Sequence, residues 1–139
     1  MKPKCTCTTI RKANRAVFRF YEETMVKGPL TVTQFAIARA LQRNGPSPLS
    51  QLAEELVMER TSLYRTIQPL VELKAVKIQA AKHGKAKIAQ LTKKGEKLML
   101  DAEPYWEQAQ ERMVGLIGRD EWMRMQSALL KIPELLSGS

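Results

Sequence analysis

Apolar residues at Ile10, Ala13, Val17, Phe20/Tyr21 and Met25 recur every three or four positions and predict an amphipathic first helix of about five turns. Lys27-Gly28-Pro29 ends it. Thr31-Val32-Thr33-Gln34 matches a capping box, and Leu30 and Phe35 stand where a hydrophobic staple needs them, so a second helix is expected from Val32 to about Arg43. Asn44-Gly45-Pro46-Ser47-Pro48 reads as a turn cluster and a boundary. Ser50 is placed to cap a short third helix, Gln51 to Val57, with Leu52, Ala53 and Leu56 turned inward. After a corner at Met58-Glu59, Leu63, Ile67 and Leu70 mark the buried stripe of a fourth helix. Pro69 falls within it and removes one backbone hydrogen bond, at roughly 3 kcal/mol in an ideal helix, which predicts a kink or an early end.

From Val76 to Leu91 helical spacing stops. Alternation around Lys82-His83-Gly84-Lys85 reads as a hairpin, with Gly84 free to take a positive φ. Thr92 is a plausible cap for a long helix whose stripe is Leu98, Ala102, Tyr105/Trp106, Ala109, Met113 and Leu116, with a bend or break at Pro104. At 1.5 Å per residue that helix spans about 37 Å, too long a stripe for one small domain to cover, so the chain is expected to pair with a second copy. Trp122, Met125 and Leu129 open a last helix that should end near Ile132-Pro133. A helix-turn-helix followed by a basic hairpin is the plan of a winged helix-turn-helix. The expected class is mainly α with a small β-hairpin wing, set within a helical dimerisation region. The boundaries are 1–46 and 98–139 for dimerisation and 47–97 for DNA binding.

Charge sharpens the picture. Of the formal +9, residues 60–97 carry ten Lys+Arg against two Asp+Glu, a net +8, whereas residues 98–139 are net −3. A clustered excess of this kind is the footprint of a polyanion partner, here double-stranded DNA. With 44% hydrophobic and 27% charged residues, neither disorder nor a fibrous class is indicated. No stretch approaches the roughly 18 consecutive apolar residues of a membrane span, and no apolar run follows the first residues, so no membrane partner and a cytoplasmic location are expected.

Side chains near the N-terminus of a groove-reading helix reach base edges, which selects Arg60, Thr61, Ser62, Tyr64, Arg65 and Gln68. Arg65 can pair bidentately with guanine, the hydroxyls can bond phosphate or bases, and the Thr61 methyl can touch thymine. Lys82, His83 and Lys85 at the hairpin tip can enter the minor groove or clamp phosphates. Catalysis fails on inventory. His83 is the only histidine, Cys5 and Cys7 are the only cysteines, and His83-Gly84-Lys85-Ala86 lacks the remaining residues of a phosphate-binding loop. No enzyme, metal or cofactor is expected. Cys5-x-Cys7 leaves two readings, an inert pair or a reactive thiolate favoured by Lys4, Arg11 and Lys12. An i to i+2 disulfide would be strained, so a redox switch would join two chains.

Five segments together resemble the MarR family of bacterial transcriptional regulators, over essentially the whole chain. They are Leu30-Thr31-x-x-Gln34-Phe35, Leu52-Ala53-Glu54-Glu55-Leu56, Met58-Glu59-Arg60-Thr61-Ser62-Leu63-x-Arg65, Pro69-Leu70 and Leu91-Thr92-x-x-Gly95. The resemblance implies a homodimer with interlocked terminal helices that binds a pseudo-palindromic operator and represses until a small-molecule or oxidant effector loosens it. It also implies an effector cleft between the dimer helices and the DNA-binding lobe, for which no residue pattern here identifies a ligand. Two positions depart from the family. His83-Gly84-Lys85 stands where Asp-x-Arg is common, replacing a bidentate group by a point charge and leaving phosphate contact as the expected role of the wing. Lys74 stands where a glycine commonly ends the recognition helix. The rival readings are a winged-helix protein adaptor, which would not need the +8, and a non-specific RNA-binding module, for which Tyr64 is the only stacking aromatic in residues 60–97.

Overall fold

The computed structural model describes residues 2–138, which form six helices and a three-stranded antiparallel sheet. In chain order they are α1 (Thr6–Met25), α2 (Val32–Asn44), β1 (Ser47–Pro48), α3 (Leu49–Glu55), α4 (Arg60–Glu72), β2 (Val76–Ala80), β3 (Lys87–Leu91), α5 (Lys93–Ile117) and α6 (Arg119–Ser137). The mainly helical winged helix-turn-helix read from the sequence is the fold that forms.

The capping box at Thr31 is complete. The Gln34 amide donates to Thr31 Oγ1 at 3.2 Å, and the Thr31 amide donates to Gln34 Oε1 at 3.0 Å. A third contact is not encoded locally: Glu22 of α1 accepts from the Val32 amide at 2.5 Å, placing a carboxylate at the positive end of α2. Leu30 and Phe35 are buried as a staple requires. One continuous core joins the end of α1, all of α2, α3, α4, the sheet and the first half of α5.

The expected turn cluster contains a strand. Ser47 and Pro48 pair with Ala89 and Ile88, so β3 is the central strand in the order β1-β3-β2. This pairing starts α3 at Leu49, two residues earlier than Ser50 capping would allow. Pro48, with φ −58°, is the N-cap, and Ser50 lies in the first turn without capping.

Pro69 was expected to kink or end its helix, Pro104 to bend or break its helix, and the last helix to end near Ile132-Pro133; none of the three helices ends or breaks at its proline. α4 runs past Pro69 to Glu72, α5 is continuous through Pro104, and α6 passes Pro133 to Ser137. The carbonyls that lose their partners belong to Arg65, Leu100 and Leu129, four residues earlier. All three residues are exposed, so water can satisfy those carbonyls.

The turns on either side of α4 are tight and left-handed. Before it, the Val57 amide donates to Glu54 O and the Met58 amide to Ala53 O. After it, the Lys74 amide donates to Val71 O and the Ala75 amide to Leu70 O. Both are Schellman motifs, yet their left-handed positions hold Val57 (φ +54°) and Lys74 (φ +62°) rather than glycine. Each costs roughly 1–2 kcal/mol, and the β-branched Val57, 91% exposed, recovers none of it by burial. In the wing, Val76 pairs with Leu91 and Ala80 with Lys87, the Ala81 amide closes the tip onto Ala86 O at 2.8 Å, and Gly84 takes φ +85°.

The wing is tied to α5 at its base. Thr92 caps α5 by accepting from the Gly95 amide at 3.0 Å, while its own hydroxyl reaches the carbonyls of Lys74 at 2.7 Å and Ala75 at 3.1 Å. Gly95 packs so closely on this junction that a Cβ there would lie 2.1 Å from the Ala75 carbonyl oxygen. A Cβ on Gly115, farther along the same helix, would meet nothing within 4 Å.

Gly95→Ala and Gly115→Ala should therefore shift stability in opposite directions. The first should cost roughly 1–3 kcal/mol by overpacking against backbone, and the second should add up to about 1 kcal/mol from helix propensity. Thermal unfolding of the two variants reads the difference, and a shift of the same sign in both would refute the tight junction.

Candidate nucleic-acid interface

α4 buries Leu63, Ile67 and Leu70 and turns its other side outward. Arg60, Thr61, Ser62, Tyr64, Arg65 and Gln68 are all exposed on it, as the sequence pattern placed them. The helix start carries no side-chain cap, so the amides of its first turn remain available to an anion, and the dipole favours one there. Thr66 donates its hydroxyl to the Ser62 carbonyl at 2.9 Å, which turns that polar group back onto the helix.

A cleft of about 230 Å³ runs between the start of α4, the start of α3 and the tip end of the wing at Lys85–Lys87. Arg60 and Tyr64 line it from one side and Lys85 from the other, so three of the residues picked from the sequence converge on one surface. Thr61, Ser62, Arg65 and Gln68 continue that surface along α4. Lys82 and His83 sit at the exposed tip and do not line the cleft. Two polar lining residues were missed, Lys87 and Ser50. Lys87 carried a signal, since strand alternation puts it on the same face as Lys85. Ser50 did not, because its place depends on the unforeseen β1. Among the described residues the ion pairs are Arg43–Glu55 at 2.6 Å and Arg124–Glu121 at 3.1 Å, neither of which neutralises this face.

Behind α4, the helices that carry the apolar stripes meet. The Tyr21 hydroxyl donates to Gln110 across α1 and α5, and burial raises the Tyr21 pKa. The Arg39 guanidinium lies 4.6 Å from the Trp106 ring centroid and 5.4 Å from that of Phe35, bridging α2 and α5. A hollow of about 290 Å³ opens beside them, lined in part by Val17, Tyr21, Val32 and Trp106. Ile10, Val17, Met113, Trp122 and Leu129 line a second, largely apolar hollow of about 280 Å³ between α1, α5 and α6. None of α6 is buried among the described residues.

Cys5 and Cys7 are exposed at the start of α1. Cys5 is the N-cap, where the Thr8 backbone first, then the Cys7 backbone and the Thr8 hydroxyl, hold its thiol below the ordinary value. Arg11 stands 4.0 Å from Cys7 Sγ. No helix among the described residues is long and apolar enough to cross a membrane.

Solved structures superimpose on this arrangement over its full length. The transcriptional regulator MosR of M. tuberculosis in complex with DNA is 26% identical, with a TM-score of 0.83 over 97% of this chain and 98% of that one. The oxidized form of MarR from E. coli is 17% identical, with a TM-score of 0.77 over 94% and 96%. The chain has the fold of the MarR-family regulators. BpsR of Bordetella bronchiseptica, whose DNA binding is regulated by 6-hydroxynicotinic acid, shares this MarR-type fold at 20% identity and a TM-score of 0.83 over 94% and 95%. No protein-family model matches the chain, and no curated protein sequence does so significantly.

With Cys7 replaced by Ser, alkylation of Cys5 should reach half its maximal rate at a lower pH than a thiol in an unstructured peptide of the same local sequence. The depressed pKa populates thiolate earlier as pH rises, and unfolding in denaturant should abolish the difference. Identical pH profiles in folded protein and peptide would remove the N-cap effect.

Proposed function

We propose that this chain is a sequence-specific DNA-binding transcriptional regulator, acting as a homodimer on a pseudo-palindromic operator, usually as a repressor, and not an enzyme. The observation that carries the reading is the convergence of Arg60, Tyr64, Lys85 and Lys87 on one cleft beside the exposed face of α4. The MosR–DNA complex has the same architecture and supports it. In this reading residues 47–97 bind DNA, residues 1–46 and 98–139 dimerise, and the protein works in the cytoplasm where its DNA is.

The start of α4 enters the major groove. Arg65 reads a guanine bidentately, Thr61, Ser62, Tyr64 and Gln68 contact neighbouring bases and phosphates, and Arg60 with Lys82, His83, Lys85 and Lys87 holds the backbone. Two copies set their recognition helices about 34 Å apart, one turn of the duplex. An apolar small-molecule effector suits the hollow beside Trp106, where α1, α2 and α5 meet. Regulation of BpsR by 6-hydroxynicotinic acid supports control by a small molecule. Cys5 and Cys7 supply an oxidant-sensitive route, in which thiols from two chains lose two protons and two electrons to a peroxide that is reduced to water. That route rests on the thiolate preference of Cys5 and fails if its alkylation profile is ordinary.

The apolar surface that α6 leaves uncovered supports dimerisation, since Leu130 is 73% and Leu135 72% exposed and Leu116 and Met123 are exposed as well. Sedimentation should show a dimer at micromolar concentration, and a stable monomer would overturn the palindromic reading.

Sites selected from random duplex DNA test the function directly. On the preferred site Arg65→Ala should cost about 1–3 kcal/mol and relax one base position per half-site. Lys85→Ala should weaken all sequences alike and lower the salt slope by about one for each phosphate it ceases to neutralise. Indistinguishable behaviour of the two across a panel of duplexes would separate this protein from the proposed division between reading helix and clamping wing.

A further inference from the structure

The proposed contacts use Arg60, Arg65, Lys82, Lys85 and Lys87, which is half of the ten cations in residues 60–97. The other half are Lys74, Lys77, Lys93, Lys94 and Lys97, all exposed or half-buried. They come from three elements that the Thr92 junction draws together. Lys74 and Lys77 line a shallow groove of about 360 Å³ with Val71, Ile78 and Thr92, and Lys93 and Lys94 follow Thr92 directly as the first residues of α5. Lys97 lies one turn on, on the same side of α5 as Lys93. Neither ion pair formed among the described residues involves these lysines. The nearby acids in sequence are Glu72 and Glu96, so the patch keeps a net charge of +3.

Local stability does not account for lysines in these places. Lys93 and Lys94 occupy the first turn of α5, where the helix dipole favours acids and opposes cations. Lys74 holds a left-handed φ that glycine would take without strain. The patch also lies apart from the reading face. The Arg60/Tyr64/Lys85 cleft is at the N-terminal end of α4 and the lysine groove at its C-terminal end, a separation of about 20 Å for a 13-residue helix.

We propose that this second face binds the phosphate backbone of duplex DNA outside the half-site read by the start of α4, so that the protein grips more DNA than it reads. This rests on the DNA-binding function proposed above. The chemistry of the patch suits phosphate rather than bases. It holds five flexible, strongly hydrated point charges, with no arginine fork for a base edge and no aromatic ring for stacking. The contact is sequence-independent and adds counterion release without adding specificity.

The test compares wild type with a Lys77→Gln, Lys93→Gln, Lys97→Gln variant on a site selected by the wild type. The site is presented as a duplex of about 20 base pairs, two half-sites long, and embedded in one of about 60 base pairs. The variant should match wild type on the short duplex, with the same base preferences, and lose most of the affinity gained on the long one. On the long duplex its slope of log K against log salt should shrink by about 0.9 for each phosphate left unneutralised, so by about two to three. Lys85→Ala should weaken both duplexes. The triple variant should melt at or above the wild-type temperature, because Lys93, the cation that opposes the α5 dipole in its first turn, is gone. Equal binding of variant and wild type to the long duplex at every salt concentration would overturn the proposal. So would equal losses on both duplexes, which would assign the lysines to the reading face. A wild type that selects no duplex at all would instead overturn the DNA-binding function, before any lysine is changed.

Discussion

The junction at Ala75, Thr92 and Gly95 is the constraint on which the DNA-facing geometry depends. The Ala75 carbonyl accepts from the Thr92 amide at 3.0 Å and from its hydroxyl at 3.1 Å, while the same hydroxyl caps α5 through Gly95. One side chain thereby holds the end of the recognition helix, both feet of the wing and the start of the long helix. The absent side chain of Gly95 lets the backbones approach closely enough for this to happen. Without that junction the wing root would be free to swing relative to α4, and the cleft between Arg60 and Lys85 would have no fixed width.

A second set of ties joins the long helices to the reading lobe. Glu22 reaches from α1 to the first amide of α2, Tyr21 reaches from α1 to Gln110 on α5, and Phe35 of α2 stacks on Trp106 of α5 with the Arg39 guanidinium beside the pair. α2 in turn packs on α4 and β3. These ties are polar, stacking or cation–π contacts with strong orientation dependence. They fix the direction in which α1 and α5 meet α2, in addition to the apolar core that the three helices share.

Much of this was legible in the chain because the signals are local. The capping box at Thr31, the stripe Leu63, Ile67 and Leu70, the glycine at the wing tip and the Thr92 cap each depend on residues within a few positions of one another, and each formed as read. What escaped depends on distant partners. Ser47 and Pro48 form a strand only because β3 lies beside them, and that pairing displaced the start of α3 and brought Ser50 into the cleft. That no helix ends at its proline has a different reason. The cost of a proline in a helix depends on whether water reaches the freed carbonyl, and at Arg65, Leu100 and Leu129 exposure is set by tertiary packing that propensity does not record. The outward residues of α4 were found by elimination against its buried stripe, whereas the alternation that aligns Lys87 with Lys85 does not say which face of the hairpin turns towards Arg60.

Clamping the wing at its base also frees its far end. Between Ala80 and Lys87 the chain makes one cross-tip bond, from Ala81 to Ala86; Lys85 and Ala86 face the cleft, and Lys82, His83 and Gly84 stand in solvent. Insertions, deletions or exchanges at Lys82–Gly84 would lengthen or reshape a projecting finger without changing the register of β2 on β3 or the pose of α4. Adding residues to such a loop costs little, about 0.6 kcal/mol for each doubling of length. The tip is therefore the part of the reading lobe that can drift in length and chemistry over evolutionary time while the scaffold behind it stays the same. It is also a natural place to graft a different groove-binding peptide.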